Sequence, residues 1–182
     1  MLKASRAATG DFSINNISGA GRMDVVCRSL TAALWLSDKL RDDTIFYALL
    51  EGQPKPPKLL TFDPLKMKRF YPDERNIASH IRLALLGKQR SIKIDEMSFK
   101  DFINQTKTQI IFLDKYGEDI RKVYIEDDVL FILGDDKGLS DEDKEFLKDK
   151  SIKVSVGKKV YLSSQVISIV QNELDRRIEC SK

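Results

Sequence analysis

The sequence predicts an α/β protein built on a mostly parallel sheet flanked by helices, and three observations carry that expectation. Residues 44–50 (TIFYALL) and 129–133 (VLFIL) are continuous apolar runs, the pattern of strands covered on both faces. Between such runs lie segments whose apolar residues recur at three- and four-residue spacing, as on helices packed against a sheet. In the last third, strand-like and helix-like segments alternate, which favours parallel pairing through crossovers.

Taken in order, residues 1–9 predict no more than a short first strand, because their apolar content is low. Residues 10–22 (GDFSINNISGAGR) form a long turn-rich loop, a kind of segment that often carries function. Met23, Val26, Leu30, Ala33 and Leu34 mark one face of a helix. The 44–50 strand is stopped by Gly52 and the prolines at 54, 56 and 57, and residues 58–62 predict a short strand after them. Asp73 and Glu74 open the next helix, which buries Ile77, Ile81, Ala84 and Leu85 and closes at Gly87. His80 lies in that helix without a second histidine at ligand spacing and reads as a packed or surface side chain.

Residues 88–97 alternate and read as a hairpin arm, and Ser98 with Asp101 starts a short helix carrying Phe99, Phe102 and Ile103. Residues 108–113 predict a strand, 114–119 a turn-rich loop, and 122–125 a small edge strand. After the 129–133 strand come Gly134, Asp135 and Asp136, then a capping-box start at Ser140 and Asp143. A strand over 152–156, a loop over 157–164 and a final helix bearing Val166, Ile167, Val170 and Leu174 complete the chain.

Three strand ends therefore carry glycine-containing loops, after Leu113, at Gly134 and at Gly157. In open α/β sheets, ligands sit at such ends. None of the three has dinucleotide-binding or P-loop spacing, which favours a neutral or cationic ligand held by backbone groups over a polyphosphate.

Composition narrows the classes. The 182 residues suit one domain, with 42% hydrophobic and 32% charged residues. With 31 basic against 28 acidic side chains the net charge is only +3, so nucleic-acid binding must rest on local clusters. Cys27 and Cys180 lack metal or redox spacing, which argues against a disulfide framework and a structural zinc, and no metal site is expected. The sequence has no signal-peptide pattern and no apolar run of transmembrane length, so a cytoplasmic protein without membrane association is expected.

Several motifs stand in a fixed order along nearly the whole chain. They are residues 11–13 (DFS), 19–28 (GAGRMDVVCR), 46–48 (FYA), 52–57 (GQPKPP), 72–78 (PDERNIA), 131–135 (FILGD) and 172–175 (NELD). In these the chain resembles the archaeal tRNA (pseudouridine-54-N1)-methyltransferases of the SPOUT superfamily. The resemblance implies one SPOUT domain over residues 1–182 with a C-terminal trefoil knot, S-adenosyl-L-methionine as methyl donor, tRNA as substrate, and a homodimer. By motif match it implies cofactor contacts at Leu113, Gly134, Val156, Gly157, Lys158, Lys159, Val160, Tyr161 and Val166. Val166 stands where the family usually has a cysteine, and Asp136 and Gln171 stand where it has histidines.

Methyl transfer from a sulfonium depends mainly on aligning the nucleophile. With no histidine at the loops, Asp24 is the candidate to orient the base or take the N1 proton. Arg22, Arg28, Lys55 and Arg75 are the candidates for RNA phosphate. Two alternatives share the fold, a knotted RNA-binding or assembly protein without activity and a methyltransferase acting on a pseudouridine of ribosomal RNA.

Overall fold

The computed structural model describes residues 1–180, the last three by backbone alone, so the side chain of Cys180 lies outside the described residues. The strands are β1 (Leu2–Ala4), β2 (Phe46–Leu50), β3 (Lys58–Phe62), β4 (Ile92–Asp95), β5 (Gln109–Asp119), β6 (Val129–Gly134) and β7 (Ile152–Ser155). The helices are α1 (Met23–Leu34), α2 (Glu74–Leu85), α3 (Phe99–Gln105), α4 (Asp141–Leu147) and α5 (Ser163–Cys180).

The strands form one sheet in the order β4-β3-β2-β1-β6-β5-β7. β1 runs parallel to β2 and β6, and β5 runs parallel to β6 and β7. β3 is antiparallel to both of its neighbours, β2 and β4. The seven residues between β2 and β3 are too few for a crossover, so the chain turns straight back. β4 does pair antiparallel with β3, but through α2 and not as the arm of a hairpin.

Alternation along the central strands divides the core. Leu2, Ala48, Leu50 and Leu133 face a layer made by α1, α2 and α5, while Leu49, Ile132 and Leu130 face α3 and α4. The weakly apolar first segment thus supplies a strand at the middle of the sheet. Its charge is accommodated by ion pairs, since Lys3 Nζ lies 2.7 Å from Asp143 and 2.8 Å from Glu51.

Two local expectations are corrected. Residues 114–119 are not a free loop, because β5 continues to Asp119 across a bulge in which Leu113 and Glu118 both pair with Val154. Gly117 permits that closure, since a Cβ there would stand 2.4 Å from the Val154 carbonyl carbon. Residues 122–125 form no edge strand; a short 3-10 turn over Ile120–Lys122 leads into an irregular segment. The backbone carbonyls of Ile120 and Val123 accept hydrogen bonds from the Arg177 guanidinium, at 2.5 and 2.9 Å. The helix starts are capped as their sequences predict, by Asp73, Ser98 and Ser140. Gly87, at φ +71°, ends α2 in the left-handed conformation. No described helix is long and apolar enough to cross a membrane.

α5 packs along α1 and is pinned by Asp175, which accepts both arms of the Arg41 guanidinium at 2.8 and 2.5 Å. The hydrogen bond from Arg41 outweighs desolvation and holds the Asp175 carboxyl below its usual range. A depressed carboxyl contributes stability that is complete above the ordinary aspartate pKa of 3.8 and is lost as pH falls through the lower folded value. The Asp175→Asn variant is therefore expected to be less stable at neutral pH and to lose less on acidification than the parent, as read from thermal unfolding between about pH 6 and 2.5.

Candidate cofactor cavity and RNA-facing rim

The carboxyl end of β6, the bulge of β5, the segment after β7 and the start of α5 close around a cavity of about 520 Å³. That volume lies within the range of about 300–1,000 Å³ usual for small-molecule sites. All three predicted loops meet there. Leu113, Gly134, Val156 and Val166 line it, as do Gly157, Lys159, Val160 and Tyr161. Lys158 is exposed and stands outside the lining.

The middle loop is folded tightly. Gly138, at φ +73°, turns the chain so that its amide donates to the Asp135 carbonyl at 3.0 Å. Gly134 is required by the resulting approach, since a Cβ there would lie 2.3 Å from the Gly138 carbonyl carbon. The Asp135 carboxylate is buried and accepts from the Ser5 amide, the Ser5 hydroxyl and the Lys137 amide at 2.7, 2.8 and 2.9 Å. It braces the loop and is not free for chemistry. Ser163 Oγ donates to the Gly134 carbonyl at 2.9 Å and ties the start of α5 to the same loop. Val166 presents an alkyl wall, so contact at that position is van der Waals and owes nothing to a thiol.

Arg22 and Arg28 also line the cavity. Arg22 is the residue before α1 and, at φ +67°, adopts the left-handed conformation that a side chain normally avoids. Gly21 before it is at φ +68°, and a Cβ there would be 1.7 Å from the Arg6 carbonyl oxygen. The strained turn is thus pressed against the exit of β1 and aims Arg22 at the cavity.

Asp24 is buried and pairs with both arginines. Arg22 Nε and Nη2 reach its two oxygens at 3.0 and 3.1 Å, and Arg28 Nη2 reaches Oδ2 at 2.6 Å. Burial works against ionisation of Asp24, but the hydrogen bonds from Arg22 and Arg28 outweigh it and hold the carboxyl below the ordinary range. Both oxygens are thus engaged by cations.

Arg28 also forms part of a second, open depression of about 450 Å³ lined by Asn15, Asn16, Glu74 and Arg75. There Arg75 donates to Asn15 Oδ1 at 2.9 Å. Three of the four candidate phosphate contacts, Arg22, Arg28 and Arg75, therefore follow one line from the cavity along the 10–22 loop. Lys55 is exposed and lies in neither depression. His80 packs against Phe70, with ring centroids 3.8 Å apart, as a surface-packed residue.

Four exposed lysines on the cavity rim, Lys115, Lys137, Lys144 and Lys159, are scattered through the sequence and form no motif. Arg6 likewise belongs to no motif; its Nη2 pairs with Asp136 at 2.6 Å, and Asp136 in turn lies 3.5 Å from Arg22 Nη1. The rim therefore carries more positive than negative side chains although the whole chain is nearly balanced.

The family model described as an SAM-dependent RNA methyltransferase matches residues 1–178. A tRNA (pseudouridine(54)-N(1))-methyltransferase of Methanococcus aeolicus is 38% identical, over 97% of this chain and 96% of that protein. The chain belongs to the tRNA (pseudouridine(54)-N(1))-methyltransferase family. The member from Pyrococcus abyssi is 39% identical over the same shares, and that from Methanocaldococcus jannaschii is 33% identical over 99% of this chain and 97% of that protein. The fold is shared with Archaeoglobus fulgidus Nep1, whose crystal structure is bound to S-adenosylhomocysteine. The TM-score is 0.64 at 18% identity, over 86% of this chain and 71% of that one. For a member of this methyltransferase family, a small-molecule cavity opening onto a basic rim is the arrangement the chemistry needs.

Proposed function

We propose that this protein methylates N1 of pseudouridine 54 in tRNA with S-adenosyl-L-methionine as donor. The observation that carries the proposal is that the three cavity loops open onto the basic rim. A donor with a sulfonium and an ammonium against one carboxylate has net positive charge and gains nothing from such a rim, whereas a polyanion is drawn to it.

The residues present fit the cofactor. Leu113, Leu133, Leu139 and Val166 supply apolar walls, and the strand ends supply backbone amides and carbonyls. When bound, the sulfonium supplies an electrophilic methyl group. The chain's own task is to hold N1 in line with it and to keep the RNA backbone registered; the N1 proton passes to water. Asp24 serves here as a positioning residue, its carboxylate holding Arg22 and Arg28 in place for phosphate, with Arg75 extending the track and Lys55 contributing only charge.

A C-terminal trefoil knot is part of the proposal. It is supported by β7 lying at the sheet edge beyond β5 while α5 returns to α1, with Ser163 held on the middle loop. A single catalytic domain, a homodimer and a cytoplasmic setting are part of the same proposal.

Methylation assays on tRNA containing pseudouridine 54, with uridine-54 tRNA as control, test the proposal. Transfer confined to the pseudouridine substrate is expected, and equal transfer to both, or to neither, would overturn it. For Asp24→Asn, the KM for tRNA is expected to rise about tenfold through loss of charge-assisted hydrogen bonds, with the single-turnover rate at saturating tRNA within a few-fold of the parent. A collapse of the saturated rate would instead make Asp24 the proton acceptor.

A further inference from the structure

We propose that Tyr116 is a stacking platform for an unpaired base of the RNA substrate, flanked by Lys115 and Lys153 as its phosphate contacts. The inference rests on the methyltransferase reading for the identity of the RNA and on separate geometry for the site. Tyr116 stands at the bulge of β5 with 76% of its surface exposed, although large aromatic side chains are usually drawn inward.

Its backbone is held in place. Its amide donates to Asp114 Oδ1 at 2.9 Å, and the next residue, Gly117, sits so close to Val154 that the bulge has little freedom to relax. Asp114 and Lys115 themselves line the cofactor cavity, so the ring stands one residue beyond its rim. The Lys115 ammonium lies 4.6 Å and the Lys153 ammonium 5.9 Å from the ring centroid, and Lys153 also approaches Asp114 at 3.5 Å.

An exposed aromatic ring with two lysine ammoniums over it can take a base on its face as the cations move out to the flanking phosphates, which is how proteins hold single-stranded nucleic acid. The ring takes a base irrespective of sequence, and the cations take the phosphates on either side. The position fits an enzyme that must act on a base removed from its stack, since bases neighbouring the target lose their own stacking partners when it leaves. Charge favours this occupant over a protein surface, because Lys115, Lys137, Lys144 and Lys159 continue the positive field around the cavity.

The test uses the whole protein and a fluorescent hairpin RNA carrying a seven-nucleotide loop with pseudouridine, titrated over a range of salt. Tyr116→Ala is expected to weaken RNA binding about tenfold at every salt concentration without altering the slope of log K against log salt. Tyr116→Phe is expected to retain the parent's affinity. Lys115→Ala and Lys153→Ala are each expected to lower the slope by about one. Binding of S-adenosylmethionine, measured in parallel, is expected to stay unchanged in Tyr116→Ala, Tyr116→Phe and Lys153→Ala, whose residues do not line the cavity.

Parent-like RNA affinity in Tyr116→Ala overturns the platform. A change in molecular mass by sedimentation in that variant also overturns it, by assigning the ring to a contact between protein copies. The methyltransferase reading fails separately, if the parent protein binds the hairpin but transfers no methyl group to pseudouridine 54.

Discussion

Gly134→Ala is expected to abolish measurable binding of S-adenosylmethionine and to lower the melting temperature. The added methyl carbon would stand 2.3 Å from the Gly138 carbonyl carbon and 2.6 Å from its Cα and carbonyl oxygen, all backbone atoms of the same tight loop. A side chain in the way could rotate aside. Backbone cannot, and here it is held by the Asp135 carboxylate through Ser5 and Lys137. The loop must therefore open by pulling Gly138 away from Gly134, which breaks the 3.0 Å hydrogen bond from the Gly138 amide to Asp135 and widens one wall of the cavity.

Overpacking of this kind costs about 1–3 kcal/mol where neighbours can shift, so the cost here belongs at the upper end. For a protein of this size that is a fall of roughly 4–12 °C. Calorimetric titration with S-adenosylmethionine and a thermal melt are the measurements. Gly87→Ala is the control: unlike Gly134, Gly87 is left-handed, at φ +71°, so alanine there is strained in the backbone but meets no atom within 4 Å and lies away from the cavity. It should lose about 1 kcal/mol and keep its cofactor affinity. Near-parent cofactor affinity in Gly134→Ala would show that the middle loop is not a wall of the binding site.

How far the sequence led depended on whether a contact was local. The strand over 129–134 and the caps at Asp73, Ser98 and Ser140 were readable because apolar continuity and capping hydrogen bonds act within a few residues. The bulge of β5 was hidden because residues 114–119 are polar and turn-like in isolation, and only pairing of Glu118 with Val154 keeps them extended. The 122–125 strand was expected from local β-propensity, but the Arg177 guanidinium, more than fifty residues away, takes up the carbonyls of Ile120 and Val123. In the cavity, the three glycine-bearing loops announced themselves one by one as strand ends. Their convergence was legible only through the ordered motifs. The lysine rim was not legible at all, since Lys115, Lys137, Lys144 and Lys159 come from four different segments.

Lys3→Met is the second change of large expected effect, and it tests whether the sheet centre supports the cofactor loop. Lys3 lies at the middle of the sheet with its side chain 11% exposed, between Asp143 at 9% and Glu51 at 28%. Removing the cation leaves two largely buried carboxylates facing each other, and breaking a buried pair in this way typically costs about 3–5 kcal/mol. Lys3→Met is expected to melt roughly 6–20 °C below the parent at neutral pH.

Two further readouts separate charge from packing. Burial alone would lower the Lys3 pKa, but hydrogen bonds from its ammonium to Asp143 and Glu51 more than compensate, and the net shift is upward. The stability it contributes is therefore complete below the ordinary lysine value of 10.5 and lost as pH rises through the higher folded value; this alkaline limb should vanish in Lys3→Met. Adding Asp143→Asn to Lys3→Met should recover part of the loss, because one of the two facing charges is gone and the pair is coupled. The backbone carbonyl of Lys3 accepts the Asp135 amide at 3.1 Å, and Asp143 belongs to the helix that follows the middle loop. Loosening this end of β1 should accordingly weaken S-adenosylmethionine binding in Lys3→Met by more than its melting temperature alone predicts. Unchanged affinity at a temperature where the variant is fully folded would confine Lys3 to stability and leave Asp135 as the brace that sets the loop.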